Sequence, residues 1–333
     1  MKAISYITSI DNTFKNPLID IEKAQPNLKE RDVLVKVQAI SVNPVDTKVR
    51  RGDIPLDKLH ILGWDAVGEI VAVGINVKHF KVGDQVWYAG DLTRDGSYAE
   101  FQAVDERIIS LKPKTISNAE AAALPLTAIT AWEVLFDRFN ISAEQSGNIL
   151  IIGGAGGVGS IAIQLLKAKT NLTVIATASR EETKSWVKSL GADYVIDHTK
   201  DLNAQIKSLQ LEQPKYVFST NHTETYVKQI VALIAPQGKL SLIDDPALFD
   251  IMPFKRKSIS VHWESMFTRS MFETDDIEMQ KNLLQEVAQL VDDRKIRSTL
   301  NQNLGKINTE NLMYAHKLIE SGKAKGKIVL EGF

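Results

Sequence analysis

Cysteine is absent from this 333-residue chain, which excludes disulfides, thiol nucleophiles and every zinc site that relies on thiolate ligands. Long apolar runs are missing too. No stretch of about eighteen uncharged apolar residues occurs, and the opening Met1-Lys2-Ala3-Ile4-Ser5-Tyr6 is too short in apolar run for a signal peptide. The expectation is a cytoplasmic protein with no membrane partner. An excess of one charge is also lacking, since 40 basic and 41 acidic residues leave a formal net charge of −1. Without a long basic run there is no electrostatic footprint for a phosphate backbone, and nucleic acid is not an expected partner. What the chain does have is an ordinary globular composition, 44% hydrophobic and 24% charged, and enough length for two domains of roughly 100–200 residues each.

The first third carries short β-type runs over 33–42, 68–73, 85–88 and 98–104, separated by turns containing Gly, Asp and Asn. They read as a small all-β barrel or sandwich. From about Ala119 helices alternate with apolar strands, the pattern of a parallel sheet covered on both faces. Strands are predicted over 148–152, 172–177, 194–197, 216–220, 239–243 and 258–262, which make a doubly wound six-stranded α/β sheet. A charge-rich helical stretch runs on to about Leu290, and Gly326-Lys327-Ile328-Val329-Leu330 forms a last strand that returns to the barrel. The expected domains are 1–122 and 123–265, with 266–333 rejoining the first.

The segment Gly154-Ala155-Gly156-Gly157-Val158-Gly159 follows the apolar run Ile149-Leu150-Ile151-Ile152 and opens a helix with Val158, Ile161, Ala162, Leu165 and Leu166 on one face. A strand, a glycine turn and a helix N-terminus together make an anion site for a dinucleotide pyrophosphate. The competing reading is a turn whose glycines serve only tight packing. About twenty residues on, an acid would grip the ribose 2′-hydroxyl of NAD. The chain instead reads Ala176-Thr177-Ala178-Ser179-Arg180, with Lys184 a helical turn later. These donors and cations suit a 2′-phosphate, so NADP(H) is the expected cofactor, although Arg180 and Lys184 also fit as solvated surface charges.

With the nucleotide turn read, the whole chain resembles the medium-chain dehydrogenase/reductase superfamily, specifically its zinc-free quinone-oxidoreductase-like branch, which includes zinc-type alcohol dehydrogenase-like proteins. The resemblance rests on Ser41-Val42-Asn43-Pro44-Val45-Asp46, Gly63-Trp64-Asp65-Ala66-Val67-Gly68, Gly83-Asp84-Gln85-Val86 and Pro125-Leu126-Thr127-Ala128-Ile129-Thr130-Ala131. The glycine turn, Leu190-Gly191-Ala192-Asp193 and the closing 326–330 complete it. It implies a GroES-like β-barrel domain beside a Rossmann domain, with the active site in the cleft between them. It further implies Thr127 near the nicotinamide, Ser179, Arg180 and Lys184 on the 2′-phosphate, and His198 near the adenosine. Zinc-dependent relatives carry cysteines and a Gly-His-Glu motif, whereas this chain has Gly63-Trp64-Asp65 and no cysteine, so no metal is expected.

Without a Lewis acid, an alcohol is not readily made into the alkoxide that gives up hydride. Reduction of a quinone or an α,β-unsaturated carbonyl is easier, because negative charge delocalises onto an oxygen that one donor can stabilise. Asn43 is the candidate donor, since the resemblance places it at the nicotinamide and the substrate carbonyl; its other reading is a turn residue that caps backbone before Pro44. Asp46 either orients Asn43, relays a proton, or caps the helix that begins beside it. Trp64, Trp87 and Tyr88 suit a flat aromatic pocket with a tyrosine proton donor, and Trp263, Met266 and Phe267 its far wall, or all of them are core. The last strand of the six is an open edge, and the family expectation is a homodimer formed through it. Two rival readings are an alcohol dehydrogenase acting without zinc and a catalytically silent NADPH-binding sensor.

Overall fold

A computed structural model describes residues 1–6, 17–52 and 61–333, which divide into two compact units: Met1–Ile129 with Phe267–Phe333, and Thr130–Met266. The first unit opens with an antiparallel pair, β1 (Lys2–Tyr6) and β2 (Leu18–Glu22), and continues with the long β3 (Asp32–Val42). At the end of β3, Asn43 is extended and Pro44 has its φ preset, so α1 (Pro44–Arg51) begins at once. Then come β4 (Ala66–Val73), β5 (Gln85–Tyr88), β6 (Phe101–Asp105), β7 (Ile109–Leu111), α2 (Asn118–Ala122) and α3 (Pro125–Trp132). The strand expected over 98–104 starts later because Ser97 and Tyr98 instead bond to the carbonyls of Gly63 and Leu62.

The second unit is a parallel sheet of β8 (Asn148–Ile152), β9 (Thr173–Thr177), β10 (Tyr194–Ile196), β11 (Tyr216–Ser219), β12 (Lys239–Leu242) and β13 (Ser260–Trp263), in the order β10-β9-β8-β11-β12-β13. The helices α4 (Gly157–Lys169), α5 (Glu181–Ser189), α6 (Leu202–Ser208) and α7 (Thr223–Leu233) make four of the five crossovers, and a 3₁₀ segment, Met252–Lys257, lies in the fifth. This is the six-stranded Rossmann sheet expected. Its last strand begins two residues later than predicted, because Ser258 is left-handed, at φ 52°, and closes the preceding 3₁₀ turn.

The chain then returns to the first unit with α8 (Thr268–Met271), α9 (Met279–Asp292), β14 (Leu300–Asn303), α10 (Thr309–Glu320) and β15 (Lys327–Glu331). The first unit's larger sheet runs β14-β15-β3-β4-β5-β7, with β6 also on β3, and is the GroES-like domain. The unit boundaries lie at 129/130 and 266/267 where the sequence suggested 122/123 and 265/266. Residues past 122 stay with the first unit because the Ala123 carbonyl accepts from Thr299 Oγ1 and the Leu126 N–H binds Asp65. The helical stretch Asn118–Arg138 has the length and apolarity to cross a membrane, yet 89% of its apolar window is buried in the fold.

Candidate active site

Strand register brings three motifs of the first unit together. On β3, Val42 faces Ile328 of β15 and Ile40 faces Ala66 of β4. One further step along each ladder sets Asn43 against Lys327 and Ser41 against Asp65, and the pleat turns all four to one face. There the Lys327 ammonium donates to Asn43 Oδ1, to Asp65 Oδ2 at 3.1 Å and to the Val42 carbonyl at 3.3 Å. Asp65 Oδ2 also accepts from Ser41 Oγ at 2.8 Å and Asn43 Nδ2 at 3.0 Å, while its Oδ1 takes the Leu126 N–H, in the first turn of α3, at 2.9 Å. A buried carboxylate is thus held by one cation, three neutral donors and the positive end of a helix. The other Asn43 amide contacts, to the Ser41 and Trp64 carbonyls, are long at 3.4 Å.

Asp46 lies beside this cluster and is fully buried. Its Oδ2 accepts the Asn43 backbone N–H at 2.6 Å and so caps α1. Burial, with Asp65 adding to it, pushes the Asp46 carboxyl up to about 7, against the pull of the Asn43 N–H, Lys327 and Tyr98. Thr127, in α3, donates its hydroxyl to the Leu124 carbonyl at 3.0 Å.

Trp64, Trp87 and Tyr88 are buried in the same unit. Trp64 donates from Nε1 to the Asp91 carbonyl and meets the Phe267 ring edge-on at 6.2 Å. Trp87 and Tyr88, on opposite faces of β5, leave Nε1 and the hydroxyl without hydrogen-bond partners, and burial pushes the Tyr88 hydroxyl far up. Trp263 belongs to the second unit, on the edge strand β13, and is 57% exposed against Phe249. Met266 and Phe267 are buried, one in each unit.

In the second unit the glycines of the turn differ in what they do. Gly153 sits at φ 81°, and a Cβ there would collide with Thr220 Oγ1. A Cβ on Gly154 would lie 2.9 Å from Ala176 Cβ, and one on Gly159 2.5 Å from the Gly153 carbonyl, so both are demanded by packing. A Cβ on Gly156 would meet only the Gly153 carbonyl, at an ordinary 3.5 Å. Packing does not require that glycine, and Gly156 caps α4 with no side chain over the first N–H groups. Ala155, Gly157 and Val158 are half-buried, while Ile161, Ala162, Leu165 and Leu166 form the buried face.

Past β9, Ser179 is half-buried and Arg180 exposed. Arg180 is 3.4 Å from Glu182 and Lys184 is 2.7 Å from Glu181, pairs local to the first turns of α5. His198 follows β10, and its Nδ1 is buried without a hydrogen-bond partner. Burial and the nearby Arg180 push its pKa down. The one acid at these strand ends, Asp197, is turned onto the N–H and hydroxyl of Thr199. Ser179, Arg180 and His198 therefore meet at neighbouring strand ends, with an uncapped helix terminus on the next strand.

Sequence reading assigned no role to Lys327, Asp65, Tyr98 or His316. Lys327 and Asp65 stood inside recognised motifs, and the usable signal was a charged residue flanked by apolar strand residues. A zinc ion needs three or four thiolate, imidazole or carboxylate ligands. The chain has no cysteine, both Asp65 oxygens are taken by donors, and among the described residues no three His, Asp or Glu gather. This donor set does not fit zinc.

Residues 29–114 match the family described as alcohol dehydrogenase GroES-like domain, and residues 157–285 that described as zinc-binding dehydrogenase. A zinc-type alcohol dehydrogenase-like protein of Staphylococcus aureus is 42% identical over 317 residues, 93% of each chain. A Rhizobium etli crystal structure, described as a candidate zinc-dependent alcohol dehydrogenase, is 54% identical with a TM-score of 0.95, covering 100% of this chain and 98% of its own. The chloroplastic NADPH-dependent alkenal/one oxidoreductase of Arabidopsis thaliana is 44% identical over 188 residues, 53% of this chain and 47% of its own.

Proposed function

Because this chain belongs to the medium-chain dehydrogenase/reductase superfamily, we propose that it is a cytoplasmic, NADPH-dependent reductase of quinones or α,β-unsaturated carbonyls that works without zinc. The reading rests on the buried cluster of Asn43, Asp65 and Lys327, whose hydrogen bonds close on one another and leave no metal ligand. An acceptor reduced there must delocalise its own charge, as a quinone or enone does. A relative named as an alkenal/one oxidoreductase supports that substrate class.

NADPH, when bound, supplies the hydride. The N–H groups of Gly157, Val158 and Gly159 at the start of α4 would hold its pyrophosphate beside Gly154, Ala155 and Gly156. Ser179, Arg180 and Lys184 would hold the 2′-phosphate, His198 the adenosine, and Thr127 the nicotinamide side. Asn43 has one amide hydrogen fixed on Asp65. The other, held only by its two long contacts, is the one a substrate oxygen would take. Asp46, poised near neutrality, keeps Asn43 in place and holds a proton close to it. Trp64, with whichever of Trp87 and Tyr88 shares its side of β5, would bound an apolar acceptor. A homodimer would form along the open edge of β13, beside the exposed Trp263.

The deciding experiment is NADPH oxidation against a panel of ortho-quinones, para-quinones, alkenals, simple aldehydes and alcohols. Turnover of quinones or alkenals is expected. Activity confined to aldehydes and alcohols would overturn the reading, and tight NADPH binding with no turnover would favour a sensor.

A further inference from the structure

Behind Asp46, buried side chains of the first unit stand in file. Asp46 and Arg50 lie one turn apart on α1, and His316 and Glu320 one turn apart on α10, so each helix presents a pair on one side. Arg50 donates from Nε to His316 Nδ1 at 3.1 Å and from Nη2 to Glu320 Oε1 at 2.6 Å. His316 Nε2 is 3.1 Å from the Tyr98 hydroxyl. Tyr98 lies close enough to hold the Asp46 pKa down, yet its hydroxyl is hydrogen-bonded to His316 alone, and Asp46 Oδ1 is buried without a hydrogen-bond partner. Gly63 makes room for this, since a Cβ there would collide with the Tyr98 ring.

The direction of the hydrogens follows from what each group can do. A guanidinium only donates, so His316 Nδ1 must offer its lone pair to Arg50. Burial and Arg50 push the His316 pKa down to about 3, so the ring is neutral and its single hydrogen is on Nε2. That hydrogen goes to the Tyr98 oxygen, which leaves the tyrosine's own hydrogen for an acceptor other than His316.

We propose that Tyr98 is a positioning residue for Asp46: its hydroxyl donates to Asp46 Oδ1, and Arg50, acting through His316, fixes the direction of that donation. The bearing on catalysis rests on the reductase reading above, whereas the order of hydrogen bonds does not. The groups that face Asp46 are the Asn43 N–H, Lys327, Asp65 and Tyr98, and those that face His316 are Arg50 and Tyr98. Donation from Tyr98 favours the ionised carboxylate, so its loss moves the Asp46 midpoint upward.

The test is NMR on the full chain without cofactor. Carboxyl-carbon titration of the wild type, with Asp46 assigned from D46N, is expected to give a midpoint near 7. In Tyr98→Phe, which removes one oxygen and keeps the ring, the midpoint is expected to rise by roughly half to one pH unit. His316→Gln, whose amide accepts from Arg50 and donates to Tyr98, keeps the wild-type midpoint. Imidazole nitrogen spectra are expected to place the His316 hydrogen on Nε2. A Tyr98→Phe midpoint equal to wild type, or a His316 hydrogen on Nδ1, overturns the proposal. Neither measurement needs turnover. An inactive protein with these values would sink the reductase reading alone, and an active one with an unmoved midpoint would sink this proposal alone.

Discussion

Lys327 reaches Asn43 because Ile328 pairs with Val42, so one register between β15 and β3 carries a cation from the far end of the chain to a site near its beginning. The pair is stabilising only as part of its cluster. Two buried charges, Lys327 and Asp65, offset one another, and the hydrogen bonds around them satisfy what remains.

Removing one partner should therefore be costly. Lys327→Met is expected to lower stability by about 3–5 kcal/mol, because the Asp65 carboxylate stays buried without its cation. The double variant K327M/D65N should lose much less than the sum of the single changes. Urea unfolding of the three variants measures this, and strict additivity would mean that the two side chains act separately.

Asp46 and His316 should give opposite pH dependences. Asp46 is raised from 3.8 to about 7, so between those values the folded chain holds a proton the unfolded chain has released, and stability falls as pH rises. His316 is lowered from 6.5 to about 3, so the unfolded chain holds the proton there, and stability rises with pH. Relative to wild type, D46N should gain stability as pH rises through the Asp46 window, and H316Q as pH falls through the His316 window. Urea midpoints across pH read both slopes, and a flat difference for either variant would remove that residue's assignment.

The glycines of the nucleotide turn should separate binding from folding. Gly156→Ala has space for its methyl group and is expected to fold like wild type while losing NADPH affinity. Gly159→Ala meets backbone 2.5 Å away and is expected to lose stability itself. Thermal melts with and without NADPH distinguish the two. A Gly156→Ala protein with undiminished affinity would leave the turn as packing only.

Arg180→Ala should raise KM for NADPH about tenfold or more and leave that for NADH nearly unchanged, since a charge-assisted hydrogen bond is lost with only one cofactor. An unchanged preference between the cofactors would take Arg180 off the 2′-phosphate.

Light scattering at micromolar concentration should report a dimer, and Trp263→Asp, on the open edge strand, should shift it toward monomer. A monomeric wild type would refute assembly through β13.

The parts of the molecule that could be read from sequence are those held by neighbours along the chain. β8 and the glycine turn are predicted residue for residue, because an apolar run, a glycine cluster and an amphipathic helix follow one another directly. β1 and β2 are short, and the sequence between them contains no glycine to signal a turn, so neither strand is legible from sequence. The cluster at Asn43 was half legible. Its motifs stood out, but Lys327 joins Asp65 across 262 residues, and only strand register shows that they meet. His316 gave no signal, since its partners Tyr98 and Arg50 lie 218 and 266 residues away and an isolated histidine on an amphipathic helix suggests nothing. In sequence Asp46 reads as a cap, an orienter or a relay, and the structure shows the cap, in one hydrogen bond to the Asn43 backbone N–H.

The return of β15 to β3 also bears on how the chain is made. Residues 130–266 form an uninterrupted unit, which can fold as it leaves the ribosome, whereas the first unit lacks part of its sheet until residues 267–333 follow. Until Lys327 emerges, Asp65 has no cation, and the β3 edge that β15 will cover is open to other strands. The interval between synthesis of Val42 and of Ile328 is thus when this protein is most exposed to mispairing.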